Sequence, residues 1–466
     1  MSSLHMPTLI AVLMAVAALS FALAPRVRTA DGFFRGRSDS GAAPGVLTLI
    51  LSQVTTWIFA RSLLNAGILG YFYGIAGVLA YTAYYGSFVT GWLIVDQLRF
   101  RHGATNIQGF LEARFGRAGS ACYNALISLR LLSEIFANLL VVGIIFAGAG
   151  AAVENAAILA VAAITLGYSA SGGLRASLRT DILQMGLLAG VLCALVALVA
   201  VHPDFGLAAV ATSSPDLNEP GWILLLVALL QVLSYPLHDP VMMDRGFLAD
   251  RLTTRRSYLH AFWVAALCIL AFGLLGVFAG LSNPGAEAFL PALEELLGAP
   301  AMLLLALALV ISAASTMDSV YSSAAKLAVI DMRLARPSAR NGRLAMGLTA
   351  VGGLALVFAG TDDLFAAVAV SGTASLFLAP VIVFSIFADR AVARWSLIVA
   401  FALAIAGSVV YFLEDSGYTT VVGQLSGLEH SYAKLLLITL VILAGGMAAF
   451  ALGSAGPANP EARRGA

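Results

Sequence analysis

Long apolar runs, separated by short polar and charged segments, recur along the whole chain. Most of them exceed the roughly 18–20 residues that an α-helix needs to cross the hydrocarbon core of a bilayer. Backbone groups in lipid must be satisfied within their own segment, so runs of this length predict helices. We therefore predict an all-α polytopic membrane protein with about 13 transmembrane helices. The predicted helices cover residues 7–25, 44–70, 72–97, 119–149, 154–170, 180–200, 220–238, 257–281, 298–330, 344–359, 363–387, 395–413 and 435–453.

The distribution of charge orients these helices. Nearly all of the 26 Lys and Arg residues fall in alternate loops and in the C-terminal tail. The exceptions are Lys434, in a loop on the other side, and Arg61, Arg130 and Lys326, within helices. Because short basic loops stay in the cytoplasm, we predict an outside N-terminus and a cytoplasmic C-terminus in the plasma membrane, which is the inner membrane of a bacterium. No Lys or Arg precedes the first apolar run, so we predict a retained helix and not a cleaved signal peptide.

Composition narrows the functional class. Of the 466 residues, 60% are hydrophobic and 11% charged, whereas about 25% are charged in a typical soluble domain. The net charge of +1 gives no basis for a nucleic-acid partner, and no obligatory protein partner is indicated. The six histidines are scattered and form no metal or nucleophile–base motif, so we do not expect an enzyme. The expected partners are the lipid bilayer and a small-molecule solute.

The helix order is consistent with an internal repeat. Helices 2–6 and helices 7–11 form two sets of five with opposite orientation, a common architecture of secondary transporters in which the first helix of each set is broken. This predicts an N-terminal helix and linker at 1–43, repeats at 44–200 and 201–387, and two peripheral helices with a short tail at 388–466. Pro236 and Pro240 predict the break in the second repeat, and the polar stretch LSQVTTW marks the corresponding place in the first. A simple kink or an interhelical hydrogen-bond patch is the alternative.

Two polar motifs carry candidate chemistry. In YSASGGLRASLRTDILQ, residues 168–184, Asp181 stands near the start of a helix, where it could simply be an N-terminal cap. In ISAASTMDSVYSSAAKLAVID, residues 311–331, Ser312, Ser315 and Thr316 share one helix face. Hydroxyls and freed carbonyls suit Na⁺, a small hard cation, although small residues also allow close helix packing.

These two motifs, taken together, resemble the signatures of the sodium:solute symporter family, which includes the proline, pantothenate and sodium/glucose symporters. The resemblance runs from about residue 30 to residue 390. It implies a leucine-transporter-like fold with a five-plus-five inverted repeat, Na⁺ as the coupling ion and no organic cofactor. It also implies a place for Asp181 on the inner sodium route. The sodium ligands that it implies are the hydroxyls of Ser315 and Thr316 and the carbonyls of Leu51, Val54 and Ser312.

Three residues are candidates for binding the solute. Gln53 stands where relatives in that family carry Asp or Asn. Arg61, inside helix 2, could bind a carboxylate through both of its guanidinium nitrogens, or belong to a structural ion network. Asp239 lies at the predicted break of helix 7, near where sugar-transporting relatives present a polar side chain, or it pairs with a nearby base. Asp318 is a further candidate for lining the ion's exit.

The sequence thus predicts sodium-coupled symport of a small organic solute, which could carry a carboxylate, by alternating access. A proton-coupled transporter on the same scaffold is the first alternative. A non-transporting membrane sensor of solutes is the second.

Overall fold

The computed structural model describes residues 6–359 and 371–457, and most of them lie in helices. In chain order the helices are α1 (Met6–Leu23), α2 (Ala30–Arg35), α3 (Val46–Trp57), α4 (Ala60–Ala83), α5 (Ser87–Asp96), α6 (Ile107–Phe115), α7 (Arg117–Phe146), α8 (Ala151–Gly172), α9 (Leu174–Ala200), α10 (Leu207–Ala211), α11 (Pro220–Gln231), α12 (Tyr235–His238), α13 (Pro240–Gly246), α14 (Arg251–Ser282), α15 (Phe289–Lys326), α16 (Ala339–Ala359), α17 (Ser371–Ala374), α18 (Leu378–Pro380), α19 (Arg394–Asp415), α20 (Val421–Ser426) and α21 (Ser431–Leu452). Short 3₁₀ or π segments extend several of them, at Tyr84–Gly86, Gln97–Arg101, Ala147–Ala149, Leu327–Asp331, Ser375–Phe377 and Val381–Phe387. Two strands, β1 (Arg390–Val392) and β2 (Ser454–Pro457), pair antiparallel.

The described part of the chain contains 10 helical segments long and apolar enough to span a bilayer, and three shorter apolar helices. Large apolar side chains on their outer faces, such as those of Met14 and Phe21, are exposed, as lipid-facing residues are. The predicted helices at 44–70 and 72–97 correspond to α3 with the first part of α4, and to the rest of α4 with α5; these two parts meet at a kink at Tyr73 and Gly74. Part of the predicted helix at 363–387 lies outside the described residues.

The first broken helix interrupts its backbone at Ile58 and Phe59. Three β-branched residues precede this point, and they are weaker helix formers than straight-chain residues. Ile58 has φ −88° and ψ 56°, and Phe59 is extended with φ −73° and ψ 160°. The Asn138 side-chain oxygen accepts a hydrogen bond from the Ala60 N–H at 3.2 Å, which satisfies a donor at the start of α4.

A second interruption, inside α4, lies at Tyr73 and Gly74, close to the predicted boundary between the second and third helices. Gly74 has φ 56° and ψ −145°, a region that favours glycine. A Cβ at this position would lie 2.6 Å from the hydroxyl oxygens of Ser213 and Ser214. Those hydroxyls accept hydrogen bonds from the Ile75 and Ala76 N–H groups at 2.8 and 3.1 Å, so the new helical turn is capped from another part of the chain.

The predicted break in the second repeat is present between α11 and α13. Residues 232–234 form a turn after α11, and Asp239 separates α12 from α13 with φ −102° and ψ 98°. Pro240 accounts for this geometry, because a proline pushes the preceding residue towards extended backbone and suits the first turn of a helix. The Asp239 side chain caps α13 by accepting a hydrogen bond from the Met242 N–H at 2.8 Å.

Most of the long helix α15 is enclosed by other helices. Its residues from Ala301 to Ala325 are almost all buried, as expected for a helix surrounded by others. Its predicted start at residue 298 corresponds to Gly298, where φ is 70° and the helix is kinked. The kink separates the short helical part at residues 289–297 from the transmembrane part that follows Pro300.

The chain divides into two compact units. The first draws on residues 1–85, 131–225 and 256–360, and in it α15 packs against α3, α4, α8, α9 and α16. The second draws on residues 86–130, 226–255 and 361–466, and in it α19 packs along α21. The predicted repeat and domain boundaries divide the chain differently and stay a prediction.

Candidate functional site

Hydroxyl side chains of α15 meet the carboxyl end of α3, within the first unit. Ser312 Oγ donates to the Ile58 carbonyl, and Thr316 Oγ1 donates to the Thr56 carbonyl at 3.2 Å. Both hydroxyl residues are fully buried. The last carbonyls of a helix have no partner within it, so the break in the first broken helix provides acceptors that an unbroken helix would have used internally.

Ser315 links this row to α9. Its Oγ lies 3.3 Å from Thr55 Oγ1 and 3.0 Å from Asp181 Oδ1. Asp181 is fully buried and lies about two turns into α9, so it does not cap that helix as a simple N-terminal residue. Three helices, α3, α9 and α15, therefore bring oxygen atoms to one place.

A second buried carboxyl, that of Asp318, joins the same network. Ser177 Oγ donates to Asp318 Oδ1 and Thr180 Oγ1 donates to Asp318 Oδ2, both at 2.8 Å. Ser177 Oγ also lies 3.4 Å from Asp181 Oδ2. The two carboxyls thus share a hydroxyl, and Asp318 is fully buried as well.

A further hydroxyl layer closes the network towards α3. Thr56 Oγ1 lies 2.9 Å from Ser319 Oγ and 2.7 Å from the Ser52 carbonyl. Ser319 Oγ is also 2.9 Å from Ser177 Oγ. We call the following residues the carboxyl–hydroxyl cluster: Thr56, Ser177, Thr180, Asp181, Ser315, Asp318 and Ser319.

Charge is the main physical constraint on this cluster. An ionised carboxylate is costly to bury unless a positive charge compensates it. Two ionised carboxyl groups at one site repel each other, and a proton or a cation bound between them relieves that repulsion. This cluster therefore has the chemistry to bind a proton or a small cation, and either would lower the repulsion between its two carboxyl groups.

The structure brings together some of the sequence-predicted sodium ligands. Ser312, Ser315 and Thr316 lie at the break, whereas Leu51 lies within α3, six residues before its end. The Val54 carbonyl accepts a hydrogen bond from the Ile58 N–H at 2.9 Å. The carbonyls that the α15 hydroxyls contact are those of Thr56 and Ile58, which sequence reasoning did not name.

Two of the solute-binding candidates belong to the first unit. Gln53 is buried on α3, and its Nε2 donates to Ser257 Oγ at 3.2 Å. Its Oε1 has no hydrogen-bond partner among the described residues. Arg61 lies one residue into α4, half-buried, just beyond the break.

The third candidate, Asp239, belongs to the second unit. Besides capping α13, its Oδ2 lies 4.0 Å from Arg130 Nη2. The Arg130 guanidinium also lies 5.9 Å from the centre of the Tyr235 ring. His238, beside Asp239, is fully buried and packs edge-on against Tyr235. Asp239 therefore lies within ion-pair distance of Arg130, and its role in binding the solute stays a prediction.

Sequence reasoning underrated Asp318 and missed Ser177 and Thr180. A signal for the α9 residues was present, because Ser177, Thr180 and Asp181 have the same i, i+3, i+4 spacing as the α15 hydroxyls and so share a helix face. The pairing of that face with Asp318 depends on how α9 packs on α15, which no spacing reveals. Among the described residues, no group of three or more His, Cys, Asp or Glu side chains forms a metal site.

Comparisons with known proteins give the fold. No protein-family model and no curated protein sequence matches this chain. Among solved structures, a Na⁺-coupled sialic acid symporter in its substrate-bound outward-open state is similar with a TM-score of 0.73 and 15% identity, over 97% of this chain and 98% of that one. MHP1, a nucleobase-cation-symport-1 family transporter in a closed conformation with bromovinylhydantoin bound, gives 0.60 and 15%, over 95% and 97%. A manganese transporter of Eremococcus coleocola gives 0.54 and 12%, over 88% and 95%.

These likenesses confirm the predicted fold class, an all-helical polytopic membrane protein with the leucine-transporter-like fold. Each similarity covers nearly the whole chain on both sides. At such low sequence identities these structural similarities show the fold alone, and function must be inferred from the site itself.

Proposed function

We propose that this protein is a secondary active transporter that couples the entry of Na⁺ to symport of a small organic solute by alternating access. The observation that carries the proposal is the contact between the α15 hydroxyl row and the broken end of α3, beside two buried carboxyl groups. Discontinuous helices near the bilayer midplane are where transporters bind substrates and coupling ions. The Na⁺ coupling of the similar sialic acid symporter supports the proposal by analogy.

Na⁺ is held by oxygen atoms, and the break offers both hydroxyls and carbonyls. The ligands that we propose are the hydroxyls of Ser315 and Thr316 and the carbonyls of Leu51, Val54 and Ser312. The carbonyls of Thr56 and Ile58 are alternatives to those of Leu51 and Val54, because the first accepts a hydrogen bond from Thr316 Oγ1 and the second from Ser312 Oγ. A monovalent cation entering along the membrane potential gains about 2.3 kcal/mol per 100 mV.

Asp181 and Asp318 give the ion an inner route in this proposal. A cation beside Ser315 lies next to the Asp181 carboxylate and reduces its repulsion with Asp318. When Na⁺ leaves towards the cytoplasm, the repulsion between the two carboxylates returns and disfavours the conformation with an empty ion site. The two carboxyls therefore provide a reason for the protein to change state after release.

The solute candidates are Gln53, Arg61 and Asp239. A solute with a carboxylate suits Arg61, whose planar guanidinium binds such a group through two parallel hydrogen bonds. Gln53 adds a neutral amide oxygen, which accepts from a hydroxyl or an amine of the solute. Asp239 adds a negative group near the second break.

Orientation follows from the distribution of charge. We propose an outside N-terminus and a cytoplasmic C-terminus in the plasma membrane, with the bilayer and the solute as partners. Neither a nucleic acid nor an obligatory protein partner is part of the proposal.

Proton coupling on the same scaffold is the second candidate, and Asp318 is the observation that favours it. Its carboxyl sits one helical turn from Ser315 and shares Ser177 with Asp181, so a proton could take the place of Na⁺. A sensor that binds the solute without accumulating it is the third candidate. Accumulation against a gradient separates it from both transporters.

The test uses full-length protein in proteoliposomes, with solutes first found by a thermal-shift screen in Na⁺ and in choline. In the variant with Ser315→Ala and Thr316→Ala, we expect accumulation to lose its dependence on Na⁺. Ser322→Ala is the matched control, because Ser322 is a buried hydroxyl of the same helix that donates to its own helix at 3.0 Å. If the double variant accumulates solute with the wild-type sodium dependence, the proposed ion site is wrong.

Arg61→Lys tests the carboxylate part separately. Lysine keeps the charge and loses the forked geometry. We expect reduced uptake of a carboxylate-bearing solute with an unchanged sodium midpoint in the thermal-shift assay. Near-normal uptake would assign Arg61 to a structural ion network.

A further inference from the structure

A cavity of about 260 Å³ lies in the first unit, and no residue of the carboxyl–hydroxyl cluster lines it. Its walls come from α1, α8 and α15, with one residue from α9 and Phe146 from α7. Met14 and Ala17 line it from α1, and Ala157 lines it from α8. Neither the proposed ion ligands nor the solute candidates belong to its lining.

The surroundings of the cavity are those of a lipid-facing crevice. α1, α8, α9 and α15 all belong to segments long and apolar enough to span a bilayer. Most lining side chains are apolar, and Ile10 and Met14 at its rim are 47% and 57% exposed. Exposed side chains of a membrane span meet hydrocarbon, so the medium at the mouth of this cavity is the acyl-chain region of the bilayer.

The inner wall of the cavity carries polar side chains, with which a purely hydrocarbon occupant forms no hydrogen bond. Thr165 and Gln184 line the cavity with 0% and 1% of their surfaces exposed. Thr165 Oγ1 and Gln184 Oε1 have no hydrogen-bond partner among the described residues. Gln184 Nε2, by contrast, donates to Tyr168 OH at 3.2 Å. Buried polar atoms are normally paired, and these two point to a ligand with a hydroxyl group.

We propose that this cavity binds a single-chain amphiphile from the bilayer, with its hydrocarbon chain along α1 and a hydroxyl or protonated carboxyl group at the inner wall. A cavity of about 150 Å³ holds a six-carbon ring, so this one holds a chain of about ten carbons. A hydroxyl at the chain end donates to Gln184 Oε1 and accepts from Thr165 Oγ1–H, which satisfies both side chains.

The occupant touches the helix that carries the proposed ion ligands. Val310, Ile311 and Ala314 line the cavity from α15, and they alternate with Ser312 and Ser315 around that helix. The Ala314 carbonyl accepts a hydrogen bond from Tyr168 OH at 3.2 Å, so the polar end of the cavity is tied to the same turn. The site is therefore placed to hold α15 from its lipid side.

The test uses the full-length protein in nanodiscs and a decanol that carries a photoreactive diazirine. We expect saturable labelling of peptides from α1 and α8 after illumination, mapped by mass spectrometry. Unlabelled 1-decanol should compete at a membrane mole fraction about fivefold lower than decane, because one net hydrogen bond contributes about 1 kcal/mol.

Adjacent residues of α1 provide a matched pair of variants. Ala17 lines the cavity and is half-buried, whereas Ala18 is exposed and does not line it. Ala17→Phe should abolish saturable labelling, and Ala157→Phe from the facing helix should do the same. Ala18→Phe should label as the wild type does. Labelling that persists in both cavity variants overturns the site, and equal competition by decane and 1-decanol overturns its polar end.

Discussion

Removing the charge of Asp181 tests the proposed ion path most directly. Asp181→Asn keeps the size of the side chain and its ability to accept a hydrogen bond, so it changes mainly the charge beside Ser315. Ser315 Oγ donates to Asp181 Oδ1 over 3.0 Å. An oxygen ligand lies about 2.4 Å from a small hard cation, so Na⁺ bound to Ser315 is within about 5.4 Å of the carboxylate.

At that separation, with an effective dielectric constant of about 20, the attraction is about 3 kcal/mol. Its loss corresponds to about a hundredfold weaker binding. The assay is a sodium titration of thermal stability in nanodiscs, with choline chloride holding the ionic strength constant. We expect the sodium midpoint of Asp181→Asn to rise by about this factor.

Asp331→Asn is the matched control. The Asp331 carboxylate is buried in the same unit and accepts a hydrogen bond from Lys326 Nζ at 2.7 Å, so the variant removes an equal charge outside the cluster. Its sodium midpoint should stay at the wild-type value. A wild-type midpoint in Asp181→Asn would refute the reasoning, because no buried charge beside a bound cation can be silent.

Three further outcomes follow from the geometry. Asp318→Asn should keep sodium-dependent accumulation, because Asp318 is not among the proposed sodium ligands; complete loss of coupling would favour the proton-coupled alternative. Asn138→Ala should lower stability by about 1–3 kcal/mol, since it leaves the first N–H of α4 buried without its cap, and an unchanged melting temperature would contradict this. The Arg175 guanidinium hydrogen-bonds Asp39 and holds the pKa of that carboxyl below its ordinary value. The Arg175–Asp39 pair therefore stabilises this region at any pH above the ordinary carboxyl pKa. That stabilisation is lost only as the pH falls through the lowered pKa of Asp39. Hydrogen-exchange protection of residues 30–41, corrected for intrinsic rates, should thus be equal at pH 7 and pH 5 and should fall in Asp39→Asn.

Much of the architecture was readable from the chain. The length of the apolar runs determined that the protein is helical and spans a membrane, since lipid offers the backbone no other partners. Pro236 and Pro240 located the second break, because proline removes a donor and restricts the preceding residue. The three hydroxyls of α15 were assigned to one face by their spacing alone.

Only the tertiary structure decided what those elements meet. The kink at Gly74 depends on the hydroxyls of Ser213 and Ser214, which arrive from more than a hundred residues away. The tertiary structure also decided which backbone carbonyls of α3 face the α15 hydroxyls, because this depends on the residue at which α3 ends. The pairing of Asp318 with Ser177 depends on the packing of α9 against α15. Periodicity determines which face of a helix is polar, but the distance between two faces is set by packing, to which distant parts of the chain contribute.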